Sequence, residues 1–528
     1  MNTAFPVQAS AVYSLSELIS RALGLWFLAR FVDFYGLGSS GLLRTVLPVL
    51  GVASALGTVG IPQAVTRLLS STGRQTSRAI PHGLARACAW TAGFAALSSV
   101  LFLFVTVGLA HPLQLDNPDV VQLLLLSVPL LVMNSLSATI KAALLGLGMN
   151  MPPALAQTLE IATRVALLFF VTQTPGPHQD LTGAEMGMFL LTASELFELL
   201  FLVSTLLFLR LAGRLKTGPR GEPEQRHRAL YLSVLRMALS PTLQSLLASA
   251  GYAVELPLAE HYLALQYGSH QAEVMIAEYA AVALPLLCAP MFVTDGMATA
   301  LLPTLTHQRV EQGREVLGHA LRSTVRVVAM IAIPASAALY VLAPDLCRWF
   351  GATGAAPLLA WLAPIAFPLY LQAPLGAALQ AQGQSRGLLY SGLVADVLRL
   401  LSLWWCLGVW HLAVAGILIT CALAVLAQTA ILLHMTIRTS PFAFPYTTVC
   451  QAFLCGVVVC AMCMTARRVP DHLRFDHHPV LWATFMVMAG TTYLLVAGEL
   501  TPAAFGRLPV VGRPLRRAAE AHVRRMLG

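Results

Sequence analysis

Apolar runs of about twenty residues or more recur along almost the whole chain, the length a helix needs to cross the hydrocarbon of a bilayer. Hydropathy reads about fourteen such spans, near residues 11–33, 42–69, 83–110, 120–147, 153–173, 182–210, 230–256, 275–306, 317–342, 356–382, 387–409, 411–436, 445–466 and 479–500. The short alternating pattern of a membrane-barrel strand is missing. Of 528 residues, 57% are hydrophobic and only 11% charged, with a mean hydropathy of +0.72. A soluble domain carries about 25% charged residues. The expected fold class is therefore an all-α membrane protein of about 14 transmembrane helices. No basic stretch and no small-residue cleavage site precede Val12, so the first apolar segment reads as a retained span rather than a signal.

The net charge of +9 comes almost wholly from arginine, and its placement argues against nucleic acid as a partner. The cations fall in alternate loops: Arg74 and Arg78; Arg214, Lys216, Arg220, Arg226 and Arg228; Arg309, Arg314 and Arg322; then Arg386 and Arg438, with the loop after the thirteenth span as the exception, mixing Arg467, Arg468 and Arg474 with acids. The intervening loops hold Asp116, Asp119, Asp180, Glu260, Glu273 and Asp345. Cationic loops stay on the cytoplasmic side. The chain therefore reads as a multi-pass protein of the cytoplasmic membrane with both termini inside. A basic tail from Thr501 meets the anionic inner leaflet.

The Gly-, Pro- and Arg-rich stretch 212–229 divides the first twelve spans into six and six. The divisions expected are an N-terminal lobe 1–211, a cytoplasmic linker 212–229, a C-terminal lobe 230–437, two extra spans in 438–500 and the tail 501–528. The halves repeat. Ala142-Ala-Leu-Leu-Gly-Leu-Gly148 matches Ala377-Ala-Leu-Gln-Ala-Gln-Gly383, and Arg164 and Arg399 follow at the same offset. Leu47-Pro-Val-Leu likewise matches Leu284-Pro-Leu-Leu, with Gly60 against Gly296. Six spans per unit preserve topology, so the repeats are parallel and a cavity is expected between them.

Charges inside these spans cost roughly 2.5–3.5 kcal/mol each on insertion scales and must face partners or water. Glu17 and Arg21 stand four apart and pair along one helix face; with the span beginning at Leu42 they are read as one wall of a polar chamber. Arg30 and Lys141 are expected to snorkel toward the two surfaces. Cys460 and Cys463 form a CxxC inside a span, where small packing residues are expected rather than a redox or metal site. His472, His477 and His478 are read as solvated loop residues.

Ile19-Ser-Arg-Ala-Leu-Gly24, Gly36-Leu-Gly-Ser-Ser-Gly41 and Gly60-Ile-Pro-Gln-Ala64 resemble the opening of the stage V sporulation protein B and polysaccharide-exporter families. Gly146-Leu-Gly-Met-Asn-Met-Pro152 and Ala283-Leu-Pro-Leu-Leu with Leu301-Leu-Pro303 extend that resemblance over most of residues 10–440. These families share a superfamily with the multidrug and toxin extrusion transporters and the lipid II flippases. The resemblance implies a two-lobed bundle that flips a lipid-linked sugar, of undecaprenyl-pyrophosphate type, between leaflets by alternating access. Its sporulation branch is associated with spore cortex peptidoglycan.

Such a headgroup needs cations for phosphate, and arginine binds phosphate bidentately while staying charged. The candidate substrate-binding residues are accordingly Arg21, Arg164, Arg399 and Arg236, with Glu17 as the partner of Arg21. Candidate ion-coupling carboxylates are Asp295, Glu255, Glu160 and Asp396, since an intramembrane carboxylate can carry H⁺ or Na⁺. No phosphate-binding loop or nucleophile elbow occurs in the sequence. No enzyme activity, cofactor or resident metal is expected, and a monomer among membrane lipids is. A cation-coupled multidrug exporter on the same fold is the alternative, with an acidic, aromatic cavity. A non-transporting scaffold for envelope synthesis is a third reading.

Overall fold

Gly36 governs how the chain enters the fold. The computed structural model describes residues 4–58, 60–62, 65–66, 79–80, 89–101, 118–149, 151–173, 182–212, 216–217, 224–292, 294–298, 314–439 and 444–466. Its first helix, α1 (Ala4–Thr58), is interrupted only at Gly36, where φ is 83° and ψ 163°. Only glycine occupies that region without steric cost. A Cβ on Gly187 would meet both Leu43 and the Phe31 ring within about 3 Å, although a straight helix would separate those two residues by roughly 18 Å. The chain therefore doubles back at Gly36. The break expected between the spans at 11–33 and 42–69 is in fact a single glycine, with helix resuming at once.

Ala89–Leu101 (α2), Pro118–Leu126 (α3), Val128–Gly146 (α4), Met151–Gln173 (α5) and Gly183–Leu211 (α6) follow. The predicted span 120–147 is broken at Ser127, where Pro129 occupies the first turn of α4. Proline suits that turn because its missing N–H would be unpaired there anyway. A capping box between Thr182 and Glu185 starts α6. This explains one acid of that helix as a structural cap.

The second half opens with α7 (Glu224–Tyr267), a second glycine reversal at Gly268 with φ 86°, and α8 (Ser269–Met291). Then come α9 (Arg314–Trp349), α10 (Ala355–Ala381), α11 (Ser385–Leu403), α12 (Ala413–Thr439) and α13 (Tyr446–Ala466). Nine segments among the described residues are long and apolar enough to cross a membrane, or ten if the bent pair Ser16–Arg44 and Val46–Thr58 of α1 is counted as one span.

The duplication shows in the backbone. Gly148 and Gly383 sit at φ 75° and 73°, and Gly36 and Gly268 at 83° and 86°. Each pair marks the same connection in the two halves. One large core joins α7 to α12, while smaller cores at Leu43–Met188, Ile140–Leu209 and Phe31–Leu190 hold the N-terminal helices. Helix α13 packs along α9 through Cys455, Val459 and Cys463 against Ala338, Val341 and Leu342. Cys463 thus serves as a packing residue, as its setting in a span predicts. Two-residue strands Ala79–Ile80 (β1) and Lys216–Thr217 (β2) pair in parallel. The predicted spans at 83–110 and 479–500, the histidine loop and the basic tail lie wholly or largely outside the described residues.

The two halves meet along α1. Leu28, Ala29 and Val32 belong to the same core as Leu256, Ala259, Leu263 and Tyr279. A Cβ on Gly41 would lie 2.6 Å from the Cβ of Ala277, and one on Gly51 2.9 Å from Ser249 Oγ. The seam is therefore closed from the glycine turns inward, over about 22 Å at 1.5 Å per residue.

Candidate functional site

Arg21 spans that seam. Its Nη1 donates to the carbonyl of Cys288 at 2.9 Å and its Nη2 to Asp295 Oδ2 at 2.5 Å. Its Nε lies 3.7 Å from Glu17 on the preceding turn. The receiving backbone is irregular: α8 widens to a π-turn over Glu278–Ala283 and tightens to 3₁₀ over Ala289–Met291, around Pro285 and Pro290. Loosened turns turn carbonyls outward, and interruptions of this kind cluster at functional sites. The Tyr370 hydroxyl donates to the neighbouring Leu287 carbonyl at 2.5 Å. The side chains of Arg21 and Asp295 keep 29% and 25% exposure. Both lie where the two halves meet.

From Arg21 the polar seam continues into the N-terminal half. Gln157 on α5 donates to Glu17 at 2.8 Å, and Ser16 reaches the Ala154 carbonyl and Thr158. Two turns along α5, Arg164 pairs with Glu160 and donates from Nε to Ser194 Oγ at 3.2 Å. Its guanidinium faces the Phe27 ring at 6.0 Å. Arg44, on the returning arm of α1, lies within electrostatic reach of Arg164 and Cys288. It takes part in none of the ion pairs found among the described residues. Glu160, Glu195 and Glu198 bring ligand oxygens within 4.8 Å of one another.

Lys141 corrects the expectation that it snorkels. Its Nζ lies 3.1 Å from Glu198 Oε2, and Glu198 has no exposure at all. The ammonium is held inward because an unpaired carboxylate there would be the costlier alternative.

Arg399 sits apart from this seam. It is 5% exposed, 3.5 Å from Glu255 and 3.8 Å from Asp396, and its guanidinium lies 4.3 Å from the Tyr252 ring centroid. Asp396 is seated against Gly251, where a Cβ would come within 2.9 Å of its Oδ1. Glu255 was expected at the end of its span; α7 instead continues to Tyr267, which places Glu255 inside the bundle at 2% exposure. Arg30 pairs with Asp33 at 3.5 Å on the exposed surface. The side chain of Arg236 lies outside the described residues.

The structure thus brings together Glu17, Arg21 and Asp295, and separately Glu160 and Arg164, and it keeps Arg399, Glu255 and Asp396 as a third group. Arg44, Gln157 and the Cys288 carbonyl were not singled out as site residues from the sequence. Gln157 stands one turn before Glu160 on an otherwise apolar helix, a signal that could have marked it.

No family model matches the chain. Among solved structures, the outward-facing conformation of a multidrug resistance MATE family transporter of the MOP superfamily aligns with 88% of this chain and 99% of its own. Its TM-score is 0.59 and its identity 16%. A MATE in complex with MaD5 gives 0.61 over 88% and 98% of the two chains at 16% identity. A MOP superfamily transporter from Pyrococcus furiosus Vc1, described by the reverse polarity of its binding pocket, gives 0.58 over 88% and 99% at 17%. The chain is a multi-pass membrane protein with the MATE-type fold. Among curated proteins, the chain is similar to stage V sporulation protein B of Bacillus subtilis (strain 168), at 22% identity over 521 residues, covering 96% of this chain and 98% of that one.

Proposed function

We propose that this transporter flips a lipid-linked oligosaccharide or peptidoglycan precursor of undecaprenyl-pyrophosphate type across the cytoplasmic membrane. The carrying observation is Arg21, which reaches across the seam to Asp295 while remaining partly exposed. A guanidinium that binds a carboxylate in this way can bind a phosphate in its place. Arg164 and Arg44 lie further along the same seam, where a pyrophosphate-sugar headgroup would be handed on. The polar groups of Gln157, Ser16 and Thr158 offer hydrogen bonds to sugar. Alternating access requires the contacts between Gly41 and Ala277 to open as the other end closes. Arg399 with Glu255 and Asp396 is assigned to holding α7 against α11, since a fully walled-in guanidinium offers no face to a headgroup. The similarity to stage V sporulation protein B supports a role in spore or envelope peptidoglycan synthesis, in a membrane where both termini face the cytoplasm.

The second reading, a cation-coupled exporter of small amphipathic molecules, draws on the carboxylates Glu160, Glu195 and Glu198. One experiment separates the two. Purified protein in liposomes carries a fluorescent lipid-linked precursor in the inner leaflet, and its appearance outside is read by a quencher. The flippase reading expects movement that Arg21→Ala abolishes. Failure to move the lipid under any imposed H⁺ or Na⁺ gradient, together with gradient-driven uptake of a cationic dye, establishes the second reading.

A further inference from the structure

An aromatic patch covers one end of the C-terminal half. Helix α11 runs on as a π-turn over Trp404–Val409, which Trp410 caps. Trp404 and Trp405 stand edge to face with ring centroids 5.9 Å apart, and Trp405 and Trp410 do so at 6.0 Å. The three indoles are 47%, 47% and 60% exposed. Tyr262 on α7 adds a fourth ring: a Cβ on Gly408 would meet it at 3.2 Å and Trp404 at 3.5 Å. One turn further along α7, Gln266 donates from Nε2 to the Leu407 carbonyl at 2.9 Å and lies 3.3 Å from His411 Nδ1. Arg386 lies in the first turn of α11 and Arg438 in the last turn of α12, at the opposite end of both helices. By the charge rule that end is cytoplasmic, which puts the aromatic patch at the outer surface.

Single aromatic residues collect at membrane interfaces as anchors, and an anchor asks only that its ring reach headgroup depth. This patch is built at a cost. His411 and Ala413, just after Trp410, hold φ of 52° and 53° and are the only non-glycine residues with positive φ among the described ones. Backbone held in that region persists only where its surroundings over-determine it, and it gathers at ligand sites. The widened turn that carries Trp404 and Trp405 is of a kind that also clusters at functional sites. Together they set neighbouring indoles at 70° and 76° to one another, with an amide and an imidazole at their edge. A pyranose offers the matching chemistry: one face of C–H bonds and a rim of hydroxyls. The C–H face suits the negative face of an indole, and the rim suits Gln266, His411 and the indole N–H groups. An acyl chain would use the rings and leave that polar edge idle.

We propose that Trp404, Trp405 and Trp410, with Tyr262, Gln266 and His411, form a saccharide-binding platform at the outer end of α7 and α11. Its ligand is the sugar of a lipid-linked headgroup, held by ring stacking after release to the outer leaflet. The choice of occupant rests on the flippase reading; the geometry of the platform does not. Because the rings stand at the membrane surface, the sugar can stack there while its lipid tail stays in the bilayer.

The test uses the full chain in lipid nanodiscs with soluble N,N′-diacetylchitobiose as the probe. Saturation-transfer NMR reads which sugar protons touch the protein, and a titration gives the affinity. The wild type is expected to transfer saturation most strongly to the axial C–H protons of one pyranose face, and to give none to mannitol, a polyol without a ring face. Trp410→Ala is expected to weaken binding about tenfold, the scale of one lost aromatic contact, and Trp410→Phe, which keeps a ring face, to restore most of it. Arg21→Ala should leave the signal unchanged, which separates this surface from the seam. No transfer in the wild type, equal transfer to mannitol, or undiminished binding by a folded Trp410→Ala protein overturns the proposal and leaves the patch as an interface anchor. Should Trp410→Ala fail to fold, Trp405→Ala decides by the same criterion. The two readings fail separately: stacking without lipid flipping in liposomes overturns the flippase reading alone, and flipping without stacking overturns the platform alone.

Discussion

Arg21 and Asp295 are 274 residues apart in sequence and 2.5 Å apart in space, and they join the two halves of the bundle. At 29% and 25% side-chain exposure, the pair is worth about 1 kcal/mol or less, because water screens it. It is therefore a contact that a competing anion can displace, not one that holds the fold.

Replacing Asp295 with Asn should accordingly leave the melting temperature nearly unchanged while freeing Arg21. Pyrophosphate binding to the purified protein, measured by calorimetry, is expected to tighten by up to about fivefold, as removal of a competitor worth about 1 kcal/mol or less would give. Arg21→Ala should abolish that binding in either background. Equal affinity in the wild type and Asp295→Asn would show that Asp295 does not occupy the phosphate position.

A second expectation concerns the closed end of the seam. Gly41 leaves its Cβ position 2.6 Å from the Cβ and 3.2 Å from the Cα of Ala277. Leucine at 41 cannot fit unless the halves separate. Overpacking of this kind costs roughly 1–3 kcal/mol, which shifts a two-state equilibrium by about 5- to 150-fold. Spin labels placed on α1 near Gly36 and on α8 near Gly268 should report a longer distance in Gly41→Leu. A distance distribution identical to the wild type would mean that the seam opens elsewhere.

Lys141 offers a third test. With Glu198 at zero exposure and its ammonium partner at 3.1 Å, Lys141→Met strands a buried carboxylate. Breaking a buried pair from one side costs about 3–5 kcal/mol, less here to the extent that Glu198 takes up a proton. Thermal unfolding should show a large loss that low pH restores. Lys141→Met with Glu198→Leu should recover most of it at all pH values. A single variant as stable as the wild type at neutral pH would mean that the pair contributes little.

The duplication was legible because glycine carries backbone information: Gly148 and Gly383 share an offset in sequence and a left-handed φ in space. The pairing of Glu17 with Arg21 was legible for the same local reason, a four-residue spacing on one face. Lys141 was misjudged because its partner lies 57 residues away on another helix, a distance no helix periodicity encodes. Arg164 and Arg399 occupy equivalent positions, yet one lines the polar seam and the other is enclosed by α7. A repeat fixes where a residue sits on its helix, whereas the opposing helix decides what it meets. Asp295 was expected to bind a coupling ion; that its carboxylate meets Arg21 depends on the crossing of α1 and α8.

The enclosed group in the C-terminal half carries the last prediction. Arg399 lies between Glu255, Asp396 and the Tyr252 ring, and Gly251 leaves room for Asp396 to approach. Arg399→Met removes the cation from two carboxylates, one of them 2% exposed, and should destabilise by about 3–5 kcal/mol. Adding Glu255→Gln to that variant should return a substantial part, because it removes the stranded charge. Gly251→Ala tests the same group without touching a charge: its Cβ would press on Asp396 at 2.9 Å, so a loss of roughly 1–3 kcal/mol is expected from overpacking. Thermal melts of the variants check all of this. Lipid flipping by any variant that remains folded should persist, since this group holds α7 to α11 and does not face the cleft. Selective loss of flipping in a fully stable Gly251→Ala protein would instead place Asp396 on the substrate's path.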